Sequence, residues 1–183
     1  MRGWRLRDIR ARRVAVRKNN PILMTSLIPI AQKAYGWLVS GASKLQSPLL
    51  LILRLYWGNS FFQTGRGKLK DFAGTTEFFT SLQLPFPAVN AALAATTEYV
   101  GGLFLMAGLA SRLTAIPLSF TMIVAYITAD REALTAIFSD TDKFTGATPF
   151  LFLLASVIVL IFGPGVFSAD WLIGRWLRKK TAE

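Results

Sequence analysis

The sequence AALAATTEYVGGLFLMAGLASR, residues 91–112, decides the fold that we expect for this chain. It is apolar and long enough to cross a bilayer, yet it carries one acidic residue, Glu98, near its middle. The small residues at helical spacing around that acid are Ala94, Ala95, Gly101 and Gly102. A carboxylate at mid-membrane depth costs several kcal/mol, so Glu98 is a candidate functional residue.

Composition and charge indicate a membrane protein. The chain has 183 residues, of which 52% are hydrophobic and 17% are charged, whereas a soluble domain usually carries charge on about a quarter of its residues. The net charge is +11, and eight cations lie between Arg2 and Lys18 and four between Arg175 and Lys180. Basic clusters that flank apolar segments indicate membrane topology and contact with anionic lipid. The lipid bilayer is therefore the expected partner, and nucleic acid is not.

The chain contains no cysteine and no histidine. This absence excludes a disulfide, a thiol nucleophile, a haem or zinc held by histidine, and a Ser-His-Asp triad within the chain. We therefore expect no metal site and identify no catalytic residue. Any redox chemistry has to use carboxylates, tyrosines, a bound organic cofactor or a partner protein.

The apolar segments predict an all-α membrane protein, an antiparallel bundle of four transmembrane helices. The predicted spans are residues 47–64, 88–110, 113–129 and 149–167. Pro48 suits the start of the first helix, and Gly65 and Gly67 are expected to end it. A very short link separates the second and third spans, so these are expected to be antiparallel neighbours. Gly163-Pro164-Gly165 marks the end of the fourth span.

The predicted spans divide the chain into three parts. They are a basic cytoplasmic tail with an interfacial segment (residues 1–45), the transmembrane domain (46–170) and a basic amphipathic cytoplasmic tail (171–183). Tyr35 and Trp37 are expected to anchor the interfacial segment at the membrane surface. Ser168 or Asp170 can cap the final helix. A short amphipathic helix is expected at residues 71–84, on the outer surface.

The distribution of cations predicts that both termini are cytoplasmic. With four spans, the inner segments hold both basic clusters and Arg112, while the outer loop at residues 130–148 leans acidic. This inward bias is typical of a multi-pass protein of the inner (plasma) membrane. The alternative is that residues 22–43 form a fifth span, which would place Arg112 and the basic C-terminus outside.

Two charges fall inside the predicted spans, Arg54 in the first and Glu98 in the second. At 1.5 Å per residue, they would lie about 10 Å and about 16 Å from the cytoplasmic face. We therefore predict an Arg54–Glu98 contact inside the bundle. Two interpretations of this buried polar site remain open: the pair fixes the register of two helices, or it handles a ligand or a proton.

Other residues are candidates for supporting this site. They are Lys68, Tyr99, Gly101, Gly102 and Arg112. Arg112 also fits an arginine that reaches the membrane interface, and Lys68 fits a cation that faces water or lipid head groups. A quinone-like pocket is a further interpretation, and its lining would be Tyr56, Trp57, Tyr99 and Tyr126.

With these residues in view, the chain resembles the DoxX family of small four-helix integral membrane proteins over about residues 50–172. The resemblance is carried by Arg54, Gly58 and Phe62, then Gly65–Leu69 (GRGKL), LQLPFP, Glu98-x-x-Gly101-Gly102-x-x-Leu105-x-x-Gly108-x-x-x-Arg112, and Gly163–Asp170. It implies a link to quinone-dependent or thiol-stress redox complexes of the membrane. The positions that it makes relevant are Arg54, Lys68, Glu98 and Arg112.

The expected function is that of a non-catalytic subunit or partner of a membrane redox system, whose buried site contacts a quinone or a partner helix. One alternative is a carrier or channel for a small solute or a proton, with Glu98 titrating. The other is a membrane scaffold without a ligand. The substrate, the partner protein and the oligomeric state are not evident in the sequence.

Overall fold

The computed structural model describes residues 21–181, in which every regular element is a helix. The helices are α1 (Pro21–Lys70), α2 (Phe72–Ser81), α3 (Pro87–Ala107), α4 (Ser111–Thr128), α5 (Arg131–Thr135), α6 (Thr141–Gly146), α7 (Thr148–Phe162) and α8 (Ala169–Lys180). The predicted all-α class is confirmed for these residues. The predicted basic tail up to residue 20 lies outside the described residues.

The described residues fall into two units that divide after residue 43, and α1 contributes to both. In the first unit, every residue from 29 to 43 is exposed, including Tyr35 at 68% and Trp37 at 80%. The anchoring of these two side chains at a membrane surface stays a prediction. The remaining helices belong to the second unit.

Helix α1 differs from the predicted first span at both ends. It passes through Pro48 instead of beginning there, and it continues past Gly65 and Gly67. Two residues after the proline, Leu50 is 3% exposed, so tertiary packing holds this turn of the helix. Gly65 marks a helix contact, because a Cβ atom added there would lie 2.8 Å from the carbonyl oxygen of Ala95. The predicted start and end of this helix were therefore wrong.

Helices α1 and α3 pack closely and run antiparallel. Gly58 of α1 lies against Gly102 of α3, where an added Cβ atom would be 2.6 Å from the carbonyl oxygen of Gly58. Further along α1, Gly65 lies against Ala95, which precedes Gly102 in α3. The order of the contacts is thus reversed between the two helices. Small residues at these positions let the two backbones touch.

Helices α4 and α7 complete an apolar core with α1 and α3. The buried cluster comes from all four helices and consists of Phe61, Leu105, Leu118, Met122 and Val159. Phe152 of α7 packs edge to face against Phe61 of α1, with ring centroids 4.7 Å apart. Because α4 contacts both α3 and α7, the four helices surround a single core.

The helix ends follow local signals in the sequence. α2 lies within the predicted segment 71–84, and its first turn is capped by the Asp71 carboxylate, which accepts from the Gly74 amide at 3.0 Å. α7 ends where Gly163 adopts a positive φ of 78°, so the predicted terminator is confirmed. A tight turn joins α3 to α4, with φ of 67° at Gly108 and 45° at Ala110.

One helix of residues 21–181, α4, is both long and apolar enough to cross a membrane by length and composition. α7 is apolar but has only 15 residues. The four transmembrane spans therefore stay a prediction, whereas the packing of four helices around one core is a feature of the structure.

Candidate functional site

A partly buried ion pair joins α1 to α3. The Lys68 Nζ donates to Glu98 Oε1 at 2.5 Å. Glu98 is 1% exposed, whereas the side chain of Lys68 is 32% exposed. Glu98 Oε2 is buried and has no hydrogen-bond partner among the described residues. The pair thus combines an enclosed carboxylate with an ammonium group that other molecules can reach.

The close packing of α1 and α3 positions this pair. Lys68 lies three residues after Gly65, and Glu98 lies three residues after Ala95. Because the helices are antiparallel, the two residues lie on opposite sides of this contact along the helix axis, and the long lysine side chain spans the offset. The continuation of α1 past Gly67 is what brings Lys68 within reach of Glu98. Sequence reasoning placed Lys68 in a loop, and it therefore missed this partner.

The predicted contact between Arg54 and Glu98 was wrong. Arg54 is fully buried, but its Nη1 and Nη2 donate to the carbonyl oxygens of Leu105 at 3.4 Å and Phe167 at 2.5 Å. Arg54 and Lys68 are 14 residues apart in one helix, or about 21 Å along its axis. The prediction failed because it ended the first helix before Lys68 and thereby paired Glu98 with the wrong end of α1.

Arg54 belongs to a second polar cluster, at the opposite end of the four helices from Lys68. There, the Asp170 carboxylate accepts from the backbone amides of Ala110 at 2.6 Å and Ser111 at 2.9 Å. It satisfies two donors at the start of α4 and also attracts the charge of Arg54. Ser168 and Asp170 were the two predicted caps of the final helix. Ser168 does cap α8, because its hydroxyl oxygen accepts from the Trp171 amide, whereas Asp170 caps α4.

The ion pair lies in the wall of a cavity of about 650 Å³. The cavity is mostly apolar, and its charged lining residues are Lys68, Glu98 and Asp130. Its aromatic lining residues are Phe78, Phe79, Phe120 and Phe152. Several lining polar groups are already used within the protein; for example, the Asn90 amide donates to the Pro85 carbonyl oxygen.

The aromatic residues proposed from the sequence as a pocket lining are not part of this cavity. Tyr56 is 65% exposed. Trp57 packs on Phe152, and Tyr99 stacks on Phe62. Tyr126 is buried, but its hydroxyl donates to the carbonyl oxygen of Phe144 at 2.8 Å. The phenylalanines that do line the cavity lacked a distinguishing signal, because apolar aromatic residues are frequent throughout the chain.

The other predicted supporting residues have packing roles in the structure. Gly101 lies against Leu118, where an added Cβ atom would approach the leucine side chain to 2.9 Å. Gly102 lies against the backbone of Phe62. The Arg112 Nη2 donates to the Ile161 carbonyl oxygen at 3.2 Å, and neither residue lines the cavity. Of the five predicted supporting residues, only Lys68 reaches Glu98.

Comparison with known proteins identifies the family. Residues 49–131 match the family model DoxX. CatD of Bacillus subtilis (strain 168), named as a candidate oxidoreductase, is 32% identical over 120 residues, which are 66% of this chain and 83% of CatD. The chain belongs to the DoxX family. The DoxX match includes Lys68, Glu98 and Asp130 but ends before Asp170, and so it is shorter than the extent expected from the sequence.

A second relative of this DoxX protein is the inner membrane protein YqjF of Escherichia coli (strain K12). It is 25% identical over 138 residues, which are 72% of this chain and 97% of YqjF. No solved structure matches the chain significantly. The range that matches the family thus includes Lys68, Glu98 and Asp130, the charged residues of the cavity lining.

Proposed function

We propose that this DoxX protein is a multi-pass protein of the bacterial inner membrane that binds a quinone-like amphiphile in the cavity beside Lys68 and Glu98. We propose further that it serves as a subunit or partner of a membrane redox system. The observation that carries the proposal is a partly buried ion pair in the wall of a large apolar cavity. Apolar cavities of a few hundred cubic ångströms with a few convergent polar groups are the usual form of ligand sites.

The surface of the four helices supports a membrane location. Large apolar side chains are widely exposed, among them Leu113 at 71% and Phe120 at 66% on α4, and Ile161 at 61% on α7. An apolar surface of this kind is unfavourable in water and is covered by lipid in a bilayer. The name of YqjF as an inner membrane protein agrees with this location.

The positive-inside rule orients the chain. The basic residues of α8 and Arg112 lie at the end of the bundle that holds Arg54, while α2, α5 and α6 lie at the end that holds Lys68. We place the Arg54 end, with both termini, in the cytoplasm. The cavity then lies in the outer half of the bilayer, where a membrane-dissolved ligand has access to it.

The residues of the cavity fit a quinone head group. An ammonium group has three donors, and Lys68 uses one of them on Glu98, so further N–H groups are available to a carbonyl oxygen. The phenylalanines of the lining would contact the ring and the apolar tail. A bound quinone supplies the two-electron redox chemistry that the chain's own side chains lack. Lys68 would orient the head group, and Glu98 would hold Lys68 in place.

A partner protein supplies the electrons in this proposal. The chain has neither cysteine nor histidine for thiol or haem chemistry. The name of CatD as a candidate oxidoreductase supports a redox context for the family. We therefore assign to this chain the binding and orientation of the amphiphile and leave electron transfer to the partner.

Quinone content of the purified protein tests the proposal. The full chain is purified from bacterial membranes in a mild detergent, and quinone is extracted and quantified by liquid chromatography. We expect near-stoichiometric quinone in the wild type and a loss of at least about tenfold for Lys68→Met, since a hydrogen bond to a charged donor is removed. Lys143→Met is the matched control, because Lys143 forms the exposed ion pair with Glu132. Equal quinone content in all three proteins would refute the proposal.

A carrier for a small solute or a proton is the second candidate. A polar cavity of about 620 Å³ adjoins the apolar one, and the two share Thr128, Ala129 and Asp130. Together they extend from the acidic loop to Glu98, whose Oε2 lacks a partner among the described residues. Proton flux into proteoliposomes that depends on both Glu98 and Asp130 would favour this function. Absence of both flux and bound quinone would leave only the scaffold interpretation.

A further inference from the structure

We infer that Glu98 is a specificity-determining residue that makes the cavity accept uncharged amphiphiles and exclude anionic ones such as fatty acids. This inference rests on the proposed function, because it concerns the ligand of the same cavity. Its basis is the distribution of charge around Lys68.

Among the residues that the structure describes, Lys68 is the only cation in the cavity lining, and Glu98 neutralises its charge. Its Nζ donates to Glu98 Oε1, and the third charged group of the lining is the Asp130 carboxylate. One cation and two carboxylates give the lining a formal charge of −1. An anionic head group at Lys68 would therefore meet an ion pair whose charges cancel and would lose its own hydration without a free cation in return, whereas a neutral oxygen acceptor can still bind the remaining N–H groups of Lys68.

The exposure of the two partners separates their roles. The Lys68 side chain is 32% exposed and can touch a ligand, while Glu98 at 1% exposure is covered. Glu98 therefore acts on a ligand through Lys68, by cancelling its charge and fixing its position. A lone ammonium group in an apolar cavity would instead bind carboxylates strongly, because charge-assisted hydrogen bonds are about twice as strong as neutral ones.

A purely structural role explains the pair less well. Buried ion pairs contribute little to stability unless further hydrogen bonds satisfy their remaining atoms. Glu98 Oε2 has no such bond within residues 21–181. An apolar residue in place of Glu98 would leave Lys68 without its counterion. Selectivity for uncharged ligands is thus a direct consequence of keeping the carboxylate.

A pair of matched probes tests the inference. Dodecanamide and dodecanoate have the same chain and nearly the same head-group shape, but only dodecanoate is charged. Their binding to the full-length protein in phosphatidylcholine nanodiscs is measured by equilibrium dialysis, at an alkaline pH at which dodecanoate is ionised. We expect the wild type to bind dodecanamide at least about tenfold more tightly than dodecanoate.

The Glu98→Gln variant should change this selectivity in a defined direction. Lys68 then lacks its counterion and can pair with the ligand carboxylate, so dodecanoate affinity should rise at least about tenfold while dodecanamide affinity changes little. Glu132→Gln is the matched control, since it removes the acid of the exposed ion pair with Lys143, and it should leave the ratio unchanged. If Glu98 had only a structural role, the Glu98→Gln variant would bind both probes more weakly.

Each outcome decides between the two proposals. If the wild type binds both probes equally, the selectivity is refuted and the cavity remains a ligand site. If a decyl-benzoquinone and both probes fail to bind the wild type, the proposed function falls as well. If Glu98→Gln does not fold, the ratio of the two probes in the wild type still decides, because it needs no variant.

Discussion

Two glycines in α1, two residues apart, should respond to the same substitution in opposite ways. A Cβ atom added at Gly65 would lie 2.8 Å from both the Ala95 carbonyl oxygen and the Tyr99 Cα, whereas one added at Gly67 would meet no atom within 4 Å. Contacts below 3.0 Å with backbone atoms cannot be relieved by a side-chain rotation. Gly65→Ala therefore has to push α1 and α3 apart.

The expected magnitudes follow from these two environments. Overpacking in a well-packed core costs about 1–3 kcal/mol, so Gly65→Ala should lower the free energy of unfolding by that amount. Gly67 is exposed and helical, so Gly67→Ala should raise stability by up to about 1 kcal/mol through helix propensity. The two variants should thus differ by about 1–4 kcal/mol.

Unfolding by SDS in mixed micelles, followed by tryptophan fluorescence, measures this difference. Gly65→Ala should also reduce ligand occupancy, because Lys68 lies one turn beyond the contact that it disrupts and would move away from Glu98. Equal stability of the two variants, or a more stable Gly65→Ala protein, would show that α1 and α3 do not touch at this position.

Three further predictions concern the ends of the helices. Asp170→Ala should lower the free energy of unfolding by about 1–3 kcal/mol, because two backbone amides of α4 lose their acceptor; unchanged SDS unfolding would contradict the cap. The Lys143 ammonium holds the pKa of Glu132 below its usual value through a hydrogen bond and its charge. The stabilisation by this pair is therefore present above the unfolded-state pKa of Glu132 and is lost as the pH falls through the lower folded-state value. Hydrogen exchange of α5 and α6 should show that loss in the wild type, and a Lys143→Met protein with the same pH dependence would refute it. Replacing Arg178 and Lys179 of α8 by glutamine should weaken retention of anionic lipid by about 1 kcal/mol per residue, and equal retention in native mass spectrometry would exclude α8 as a lipid contact.

The helical class and most helix positions were accessible from the sequence because they depend on local signals. The apolar stretch around Glu98, the proline at the start of α3 and the Gly163-Pro164-Gly165 terminator all act within a few residues of the helix that they define. The burial of Glu98 among small residues belongs to the same category, since spacing alone places them on one face.

The partner of Glu98 could not be predicted from local signals, because a glycine can mark either the end of a helix or a close contact between two helices. At Gly65 and Gly67 the sequence indicates a helix end, yet the first is a point of contact between helices and the second is an ordinary helical residue. Only the position of α3 distinguishes these cases. Since the end of α1 determines whether Lys68 or Arg54 reaches Glu98, one local error changed the identity of the ion pair.

Arg54 and Lys68, two cations of α1, illustrate how a structural charge differs from a functional one. Arg54 is enclosed by the backbone: it donates to the carbonyl oxygens of Leu105 and Phe167, and an added Cβ atom on Gly108 would overlap its guanidinium group. Arg54 lines neither of the two cavities described above. Lys68 has a carboxylate partner, remaining donors and a cavity of about 650 Å³ at its side. Both residues are charged and both contact buried groups, so the distinction comes from the exposed fraction of each side chain and from the volume next to it. By that criterion, the Arg54 cluster holds the ends of the helices together, and the Lys68–Glu98 pair is the part of the molecule that can recognise another one.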